Sequence, residues 1–116
     1  MEHASTPSAV ADRYFECVRS HDLEGLVALF AKDAILILPD GRELIGVDAI
    51  RAMYQHLVNG SAPTPWPTAA IVGSNDAAVE IESHLPDGAV RRTANFFHFD
   101  VRGRIARLSV YKRGEF

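Results

Sequence analysis

The sequence has little of several features that would assign it to a class of protein at once. It contains a single cysteine, Cys17, so no internal disulfide bond can form. Its net charge of −3 gives no excess of basic residues for binding nucleic acid or an anionic membrane surface. No apolar run approaches the roughly 18 to 20 residues of a membrane span, and residues 1–8 do not resemble a signal peptide. We therefore expect a cytoplasmic protein that binds neither nucleic acid nor membrane.

Metal-ligand spacing is also missing. The five histidines form no His-x-x-x-His pair or other ligand spacing. Glu80, Glu82 and His84 alternate along one predicted strand face, but metal sites usually draw their ligands from several elements. We interpret this row as a solvated or subunit-facing sheet surface. The sequence thus predicts no metal and no cofactor.

What is present is the composition of an ordinary globular domain. The 116 residues, 47% of them hydrophobic, are enough for one domain with its own core. After a flexible tail over residues 1–5, three helices are predicted. The first opens with Thr6 as the cap and Pro7 at the first helical position. The second follows Asp22 and covers 23–32, and the third begins at residue 47 and stops at Asn59-Gly60.

Strand signals fill the rest of the chain. Two apolar segments, 34–39 and 42–46, flank Asp40-Gly41, which is typical of a hairpin turn. A proline-rich loop is predicted over 61–67. The four strands predicted after it cover 68–74, 77–85, 90–99 and 104–112. Helices followed by a long meandering sheet indicate an α+β fold.

The alternation of side chains along two of these strands predicts which residues face the interior. A plain two-residue turn at Asp87-Gly88 would bring Glu80 and Glu82 to the face of Asn95, where two buried carboxylates would be costly. We therefore favour a longer loop or a bulge. The inner face then holds Val79, Ile81, Ser83, Asn95 and Phe97.

Three segments carry a resemblance to a known family. They are RYFECVRSHDLEGLVALFAKDA (13–34), GVDAIRAMY (46–54) and NFFHFDVRGRIARLSVY (95–111). They resemble the nuclear-transport-factor-2-like superfamily, which includes SnoaL-like polyketide cyclases and ketosteroid isomerases. The resemblance implies a single SnoaL-like domain over 1–116. Its fold would be a cone-shaped, curved antiparallel β-sheet wrapped around three N-terminal helices, the cystatin-like roll. Relatives commonly dimerise through the outer sheet face, which implies a homodimer here.

The resemblance also implies roles for individual residues. In ketosteroid isomerases a carboxylate base moves a proton, while a tyrosine and a protonated aspartic acid hold the developing enolate oxygen. Tyr14 matches the tyrosine, and Asn95 stands where the protonated acid would be and can still donate through its amide. Leu38 stands at the position of the base and cannot accept a proton. Tyr14 and Asn95 are therefore the candidate catalytic residues. A base would have to come from another position that the sequence does not identify, such as His56, a water molecule or the substrate itself.

The other predicted site residues form the wall of the cone. They are Phe30, Leu36, Leu38, Tyr54, Leu57, Trp66, Ile81, Ser83, Phe97 and Tyr111. Trp66 is expected to close the mouth from the proline-rich loop. Such a cone implies a small hydrophobic oxygenated ligand, and isomerase, cyclase or dehydratase chemistry if the protein is an enzyme. The alternative is a non-catalytic ligand-binding or protein-interaction module, with the cone filled by side chains and with Tyr14 and Asn95 in the core.

Overall fold

The computed structural model describes residues 6–60 and 64–114. The elements in chain order are α1 (Pro7–Ser20), α2 (Leu23–Val27), β1 (Phe30–Ile37), β2 (Glu43–Ile45), α3 (Val47–Val58), β3 (Thr64–Val72), β4 (Asp76–His84), β5 (Val90–Phe99) and β6 (Ile105–Arg113). The predicted α+β class and the order of the elements are confirmed. The tail predicted over residues 1–5 lies outside the described residues.

The first helix begins where its capping residue predicts. The Thr6 hydroxyl accepts a hydrogen bond from the Ala9 N–H at 3.2 Å, and Pro7 occupies the first turn. The helix ends at Ser20 and is followed by His21, whose backbone is left-handed (φ 58°) and whose N–H donates to carbonyls of the last turn. Both ends of α1 are therefore set by local chemistry.

The second helix is shorter than predicted. Asp22 caps it as expected, because its carboxylate accepts a hydrogen bond from the Gly25 N–H at 2.9 Å. The helix ends at Val27, however, and the prediction that it continues to residue 32 is wrong. Phe30 already pairs with Ile105 of β6. Pairing in the sheet overrides the helical spacing of the apolar residues in this segment.

All six strands form one curved sheet in the order β2-β1-β6-β5-β4-β3. Four of the neighbouring pairs are antiparallel, as predicted, and the β1–β6 pair is parallel. The hairpin turn predicted at Asp40-Gly41 joins β1 to β2. β5 and β6 lie in the interior of the sheet, and β3 forms one of its edges.

The proline-rich segment is only partly the loop that its composition indicated. β3 begins at Thr64 and includes both Pro65 and Pro67. An edge strand tolerates proline because one side of its backbone has no strand to bond. The register shifts between Pro67 and Ala69, so Thr68 forms an irregularity. The remainder of the predicted loop, 61–63, lies outside the described residues.

The register between β4 and β5 agrees with the predicted inner face. Val79 pairs with Asn95 and Ile81 with Thr93, and residues 85–89 form the longer loop that this register requires. The helices pack on the face that carries these residues, and the shared core includes Phe15, Leu26, Ile50, Phe97 and Leu108. No helix in 6–60 or 64–114 has both the length and the apolar character that crossing a membrane requires.

Candidate functional site

A cavity of about 600 Å³ opens between the helices and the inner face of the sheet. Its wall comes from α1, α3, the β1–β2 hairpin and strands β3 to β6. Of the predicted site residues, those that line it are Tyr14, Leu36, Leu38, Tyr54, Leu57, Ile81, Ser83 and Asn95. The structure therefore brings both candidate catalytic residues to one open cavity.

The polar part of the wall is a network of two tyrosines and one asparagine. The hydroxyls of Tyr14 on α1 and Tyr54 on α3 are hydrogen-bonded to each other, and either can be the donor. Asn95 of β5 also hydrogen-bonds to the Tyr14 hydroxyl. All three residues are buried, with 5%, 4% and 5% of their surfaces exposed for Tyr14, Tyr54 and Asn95. A network with so little exposure holds its members in fixed orientations.

Both tyrosines of this network keep their protons. Burial raises the pKa of Tyr14 from 10.0 to about 12, although its hydrogen bonds with Tyr54 and Asn95 act in the opposite direction. Burial also raises the pKa of Tyr54 well above its ordinary value, and the neighbouring Tyr14 raises it further. At neutral pH each side chain is therefore an uncharged hydroxyl that can donate one hydrogen bond.

The role of the Tyr54 hydroxyl was missed by sequence reasoning. Tyr54 was predicted only as an aromatic wall residue, whereas its hydroxyl completes the network. Tyr14 and Tyr54 lie on different helices, 40 residues apart in the chain. No local spacing signals such a contact, since it depends on how α1 and α3 pack.

Phe30 and Phe97 do not line the cavity, so the prediction that they form its wall is wrong. Both are buried in the core and pack edge-on against the ring of Tyr14, with centroids 6.4 and 5.2 Å from it. Phe15 makes a third edge contact at 5.0 Å. These rings position Tyr14, because each edge-to-face contact fixes the tilt of its ring.

Trp66 does not close the mouth of the cavity. It lies in β3 and is 51% exposed, and the guanidinium carbon of Arg19 is 4.4 Å from its ring centroid. Arg19 also donates a hydrogen bond to the Pro65 carbonyl at 3.3 Å. The prediction failed because a strand, not a loop, carries this tryptophan. Trp66 instead ties the end of α1 to the edge of the sheet, and Pro65 is the residue that lines the cavity.

Tyr111 lies on the opposite face of the sheet from the predicted one. It pairs with Ala94, whereas the inward-facing Asn95 pairs with Val110. Side chains alternate along a strand, so Tyr111 points outwards and is 60% exposed. The inner face of β6 is formed by Val110 and Lys112, both of which line the cavity.

The hairpin after β1 forms one side of the mouth. Leu38 lines the cavity and offers no proton acceptor. Asp40, two residues on, also lines it and was missed as a site residue. The backbone N–H of Arg42 is the main cause of the lowered pKa of this carboxyl, and the Arg42 side chain is paired with it at 2.8 Å. Asp40 is therefore ionised at neutral pH and is a weak proton acceptor.

The outer face of the sheet carries the row of side chains that alternation predicts. Glu82 pairs there with Arg92 at 3.3 Å, and the ring of the half-exposed Phe96 stacks on His98 at 4.8 Å. Among the described residues, no three His, Cys, Asp or Glu side chains gather as metal ligands would. His56, considered as a base, is exposed and does not line the cavity.

Solved structures with the same fold include enzymes and candidate enzymes. A candidate ketosteroid isomerase from Kribbella flavida is 20% identical, with a TM-score of 0.83 over 93% of this chain and 78% of the other. A candidate polyketide cyclase from Sinorhizobium meliloti is 24% identical, with a TM-score of 0.78 over 88% and 93%. SalBIII, an epoxide hydrolase/cyclase-like enzyme in pyran ring formation in the polyether salinomycin, is 18% identical, with a TM-score of 0.80 over 92% and 90%.

At these identities the likeness establishes the fold. Among curated proteins, none matches the chain. A sequence family does match: the SnoaL-like domain covers residues 11–108, which include Tyr14, Tyr54 and Asn95. The chain belongs to the SnoaL-like domain family.

Proposed function

We propose that the protein binds a small, mostly apolar molecule in this cavity and donates hydrogen bonds to a carbonyl or hydroxyl oxygen of it. The observation that carries the proposal is the buried network of Tyr14, Tyr54 and Asn95, which faces an open cavity of about 600 Å³. Apolar walls with a few fixed polar groups are typical of small-molecule sites.

The arrangement of donors suits one oxygen atom. When Tyr54 and the Asn95 amide both donate to the Tyr14 oxygen, the proton of Tyr14 is directed to the ligand. The same donation makes Tyr14 a stronger donor, because it stabilises the negative charge that develops on the phenol oxygen. Donors held in place before the ligand arrives stabilise an oxygen that gains charge during a reaction.

The chemistry that this site supports is therefore polarisation of an oxygen, as an isomerase, cyclase or dehydratase requires. Among the described lining residues, Asp40 is the one carboxylate, and its pairing with Arg42 weakens it as a base. The similarity to a candidate ketosteroid isomerase from Kribbella and a candidate polyketide cyclase from Sinorhizobium supports the first two of these reaction classes. Leu38 favours a second candidate, in which the protein binds its ligand without transferring a proton.

Ligand binding by matched variants tests the proposal. Steroid ketones, aromatic polyketides and terpenoid alcohols are screened by thermal shift against the unmodified protein, Tyr14→Phe and Asn95→Ala. Tyr111→Phe is the matched control, because it removes the same hydroxyl from the outer face. We expect a stabilising hit that Tyr14→Phe and Asn95→Ala lose and Tyr111→Phe keeps.

A hit that all the variants keep would mean that these donors do not contact the ligand. Turnover of the hit then separates the two candidates, since a binding protein gives none. If no compound binds and the variants differ only in stability, the proposal fails for these ligand classes.

We also propose that two copies associate through the outer face of the sheet. Phe96 is half-exposed there, and a large apolar ring on a sheet surface gains stability when a partner covers it. Sedimentation should show a dimer that Phe96→Glu dissociates. A monomeric unmodified protein would contradict this proposal.

A further inference from the structure

Two hydroxyl side chains, Ser83 and Thr93, lie on the inner face of the sheet and line the cavity. Thr93 of β5 is two residues from Asn95, so both side chains are on the same face. Ser83 of β4 is two residues from Ile81, which pairs with Thr93. The two hydroxyls therefore lie on neighbouring strands, as diagonal neighbours on one face.

Neither hydroxyl is used by the fold. The hydroxyl of Thr68, for comparison, donates a hydrogen bond to the Glu80 carbonyl at 3.3 Å. Within residues 6–60 and 64–114, the side chains of Ser83 and Thr93 have no such partner. Both residues are half-buried. Each hydroxyl therefore keeps one donor and its acceptor lone pairs for a molecule in the cavity.

The inner face of β4 changes from apolar to polar at this point. Ala77, Val79 and Ile81 are buried in the core, and Ser83 comes next on the same face. On β5, a valine in place of Thr93 would have the same shape and would continue an apolar wall. The two hydroxyls thus give the wall polar groups where packing requires none.

The cavity therefore has polar groups at two levels, separated by an apolar wall. The network that includes Asn95 is at the buried end, since Asn95 is only 5% exposed. Exposure rises along β5 from there through Thr93 to Val90, which is 37% exposed. The hydroxyls of Ser83 and Thr93 are consequently nearer the mouth, and a ligand that reaches Tyr14 passes them.

The spacing of these two levels follows from the strand register. Thr93 is two residues from Asn95, and Ser83 pairs with Arg91, four residues from Asn95. A point between the two hydroxyls is therefore about three residues, or about 10 Å, from the level of Asn95. Diagonal neighbours on antiparallel strands are about 7–8 Å apart. One oxygen atom placed between them can therefore hydrogen-bond to both hydroxyls, over about 2.8 Å each.

We propose that Ser83 and Thr93 bind an alcohol group of the ligand, at the opposite end from the oxygen that reaches Tyr14. The ligand is then an apolar keto alcohol with its two oxygens about 10 Å apart. This inference rests on the function proposed above and names its class of ligand. An alcohol suits two hydroxyl partners, because it donates to one of them and accepts from the other.

Calorimetric titration with two rigid ketones tests this assignment. The first probe is trans-4-(4-hydroxycyclohexyl)cyclohexanone, whose ketone and alcohol are at opposite ends of two linked rings. The second probe, 4-cyclohexylcyclohexanone, has the same frame without the alcohol. We expect the unmodified protein to bind the keto alcohol about tenfold more tightly than the ketone. Tyr14→Phe should weaken the binding of both probes, because both carry the ketone.

Variants with matched controls assign the preference to residues. Ser83→Ala with Thr93→Val removes both hydroxyls and should abolish the preference for the keto alcohol. Thr93→Ser keeps the hydroxyl and should keep the preference. Thr68→Val makes the same change at a threonine that does not line this cavity, so the preference should again stay. If the double variant does not fold, Thr93→Val alone and the two probes in the unmodified protein still decide.

Three outcomes would count against the inference. A keto alcohol that binds the unmodified protein no more tightly than the ketone would overturn it and leave the proposed function intact. A preference that survives Ser83→Ala with Thr93→Val would overturn the assignment to these hydroxyls. Binding of neither probe would reject the proposed function for ketones of this size, and this inference with it.

Discussion

Replacing Tyr14 by phenylalanine should change how the stability of the protein depends on alkaline pH. The hydroxyl of Tyr14 is buried and hydrogen-bonded to Tyr54 and Asn95. Burial raises its pKa from 10.0 to about 12, so the folded protein holds this proton more tightly than the unfolded chain does. The substitution removes this titrating group and leaves the aromatic ring.

The size of the effect follows from the two pKa values. Below pH 10.0 both states keep the proton, and Tyr14 adds no pH dependence. Between pH 10.0 and about pH 12 the unfolded chain binds fewer protons than the folded protein, so the free energy of unfolding falls as the pH rises. A difference of two pKa units between the folded and unfolded states lowers the free energy of unfolding by about 3 kcal/mol across this window.

Urea unfolding at closely spaced pH values on both sides of the window measures the effect. Across the window the free energy of unfolding should fall steeply in the unmodified protein and in Tyr111→Phe. In Tyr14→Phe the fall should be smaller by about 3 kcal/mol. The slope that remains in Tyr14→Phe includes the contribution of Tyr54, whose pKa is also raised. If Tyr14→Phe follows the same curve as the unmodified protein, the Tyr14 proton is not held by the fold and the buried network is wrong.

Two further substitutions test local features. Asp22 caps α2 and also forms an exposed ion pair with Arg13 at 3.4 Å. Asp22→Ala should lower the free energy of unfolding in urea by about 1 kcal/mol because α2 loses its cap, and Asp22→Asn should keep most of that stability. An equal loss in both variants would assign the effect to the ion pair instead. Trp66→Leu should lower stability by about 1 kcal/mol or less, through the lost contact with Arg19, and leave ligand affinity unchanged. A weaker ligand affinity of Trp66→Leu in a binding titration would show that the tryptophan contacts the ligand.

Local signals in the sequence predicted most of the fold. Thr6 and Asp22 begin helices, Asp40-Gly41 turns a hairpin, and the cost of burying Glu80 and Glu82 selected the observed register of β4. Each signal acts within a few residues or through the alternation of a single strand. The resemblance, which extends over most of the chain, predicted a site containing Tyr14 and Asn95, and both residues line the cavity.

The errors fall where distant parts of the chain decide the outcome. Phe30 has helical spacing, yet its pairing with β6 draws it into a strand. Trp66 lies among prolines that are typical of a loop, but an unpaired sheet edge admits them. The face of the sheet on which Tyr111 lies depends on the register between β5 and β6. The residues next to Tyr111 in the sequence do not determine that register.

Leu38→Asp should convert this site into one that moves a proton. Leu38 lines the same cavity as Tyr14, and its backbone is held because its N–H donates to the Arg42 carbonyl at 2.9 Å. A carboxylate there could remove a proton from the carbon between the carbonyl and the double bond of a β,γ-unsaturated ketone. It would then return the proton to the γ carbon, while Tyr14 donates to the enolate oxygen. General-base catalysis supplies roughly 10²- to 10⁴-fold, so slow isomerisation is expected.

The rise in ultraviolet absorbance of the conjugated ketone measures this reaction, with Leu38→Asn as the matched control that cannot accept the proton. Activity in Leu38→Asp that is lost when Tyr14→Phe is added would show that the hydroxyl network stabilises the enolate. A folded Leu38→Asp protein that binds the ketone without isomerising it would contradict that role. The ketone oxygen would then lie away from Tyr14, and the role of the hydroxyl network would be to stabilise the core.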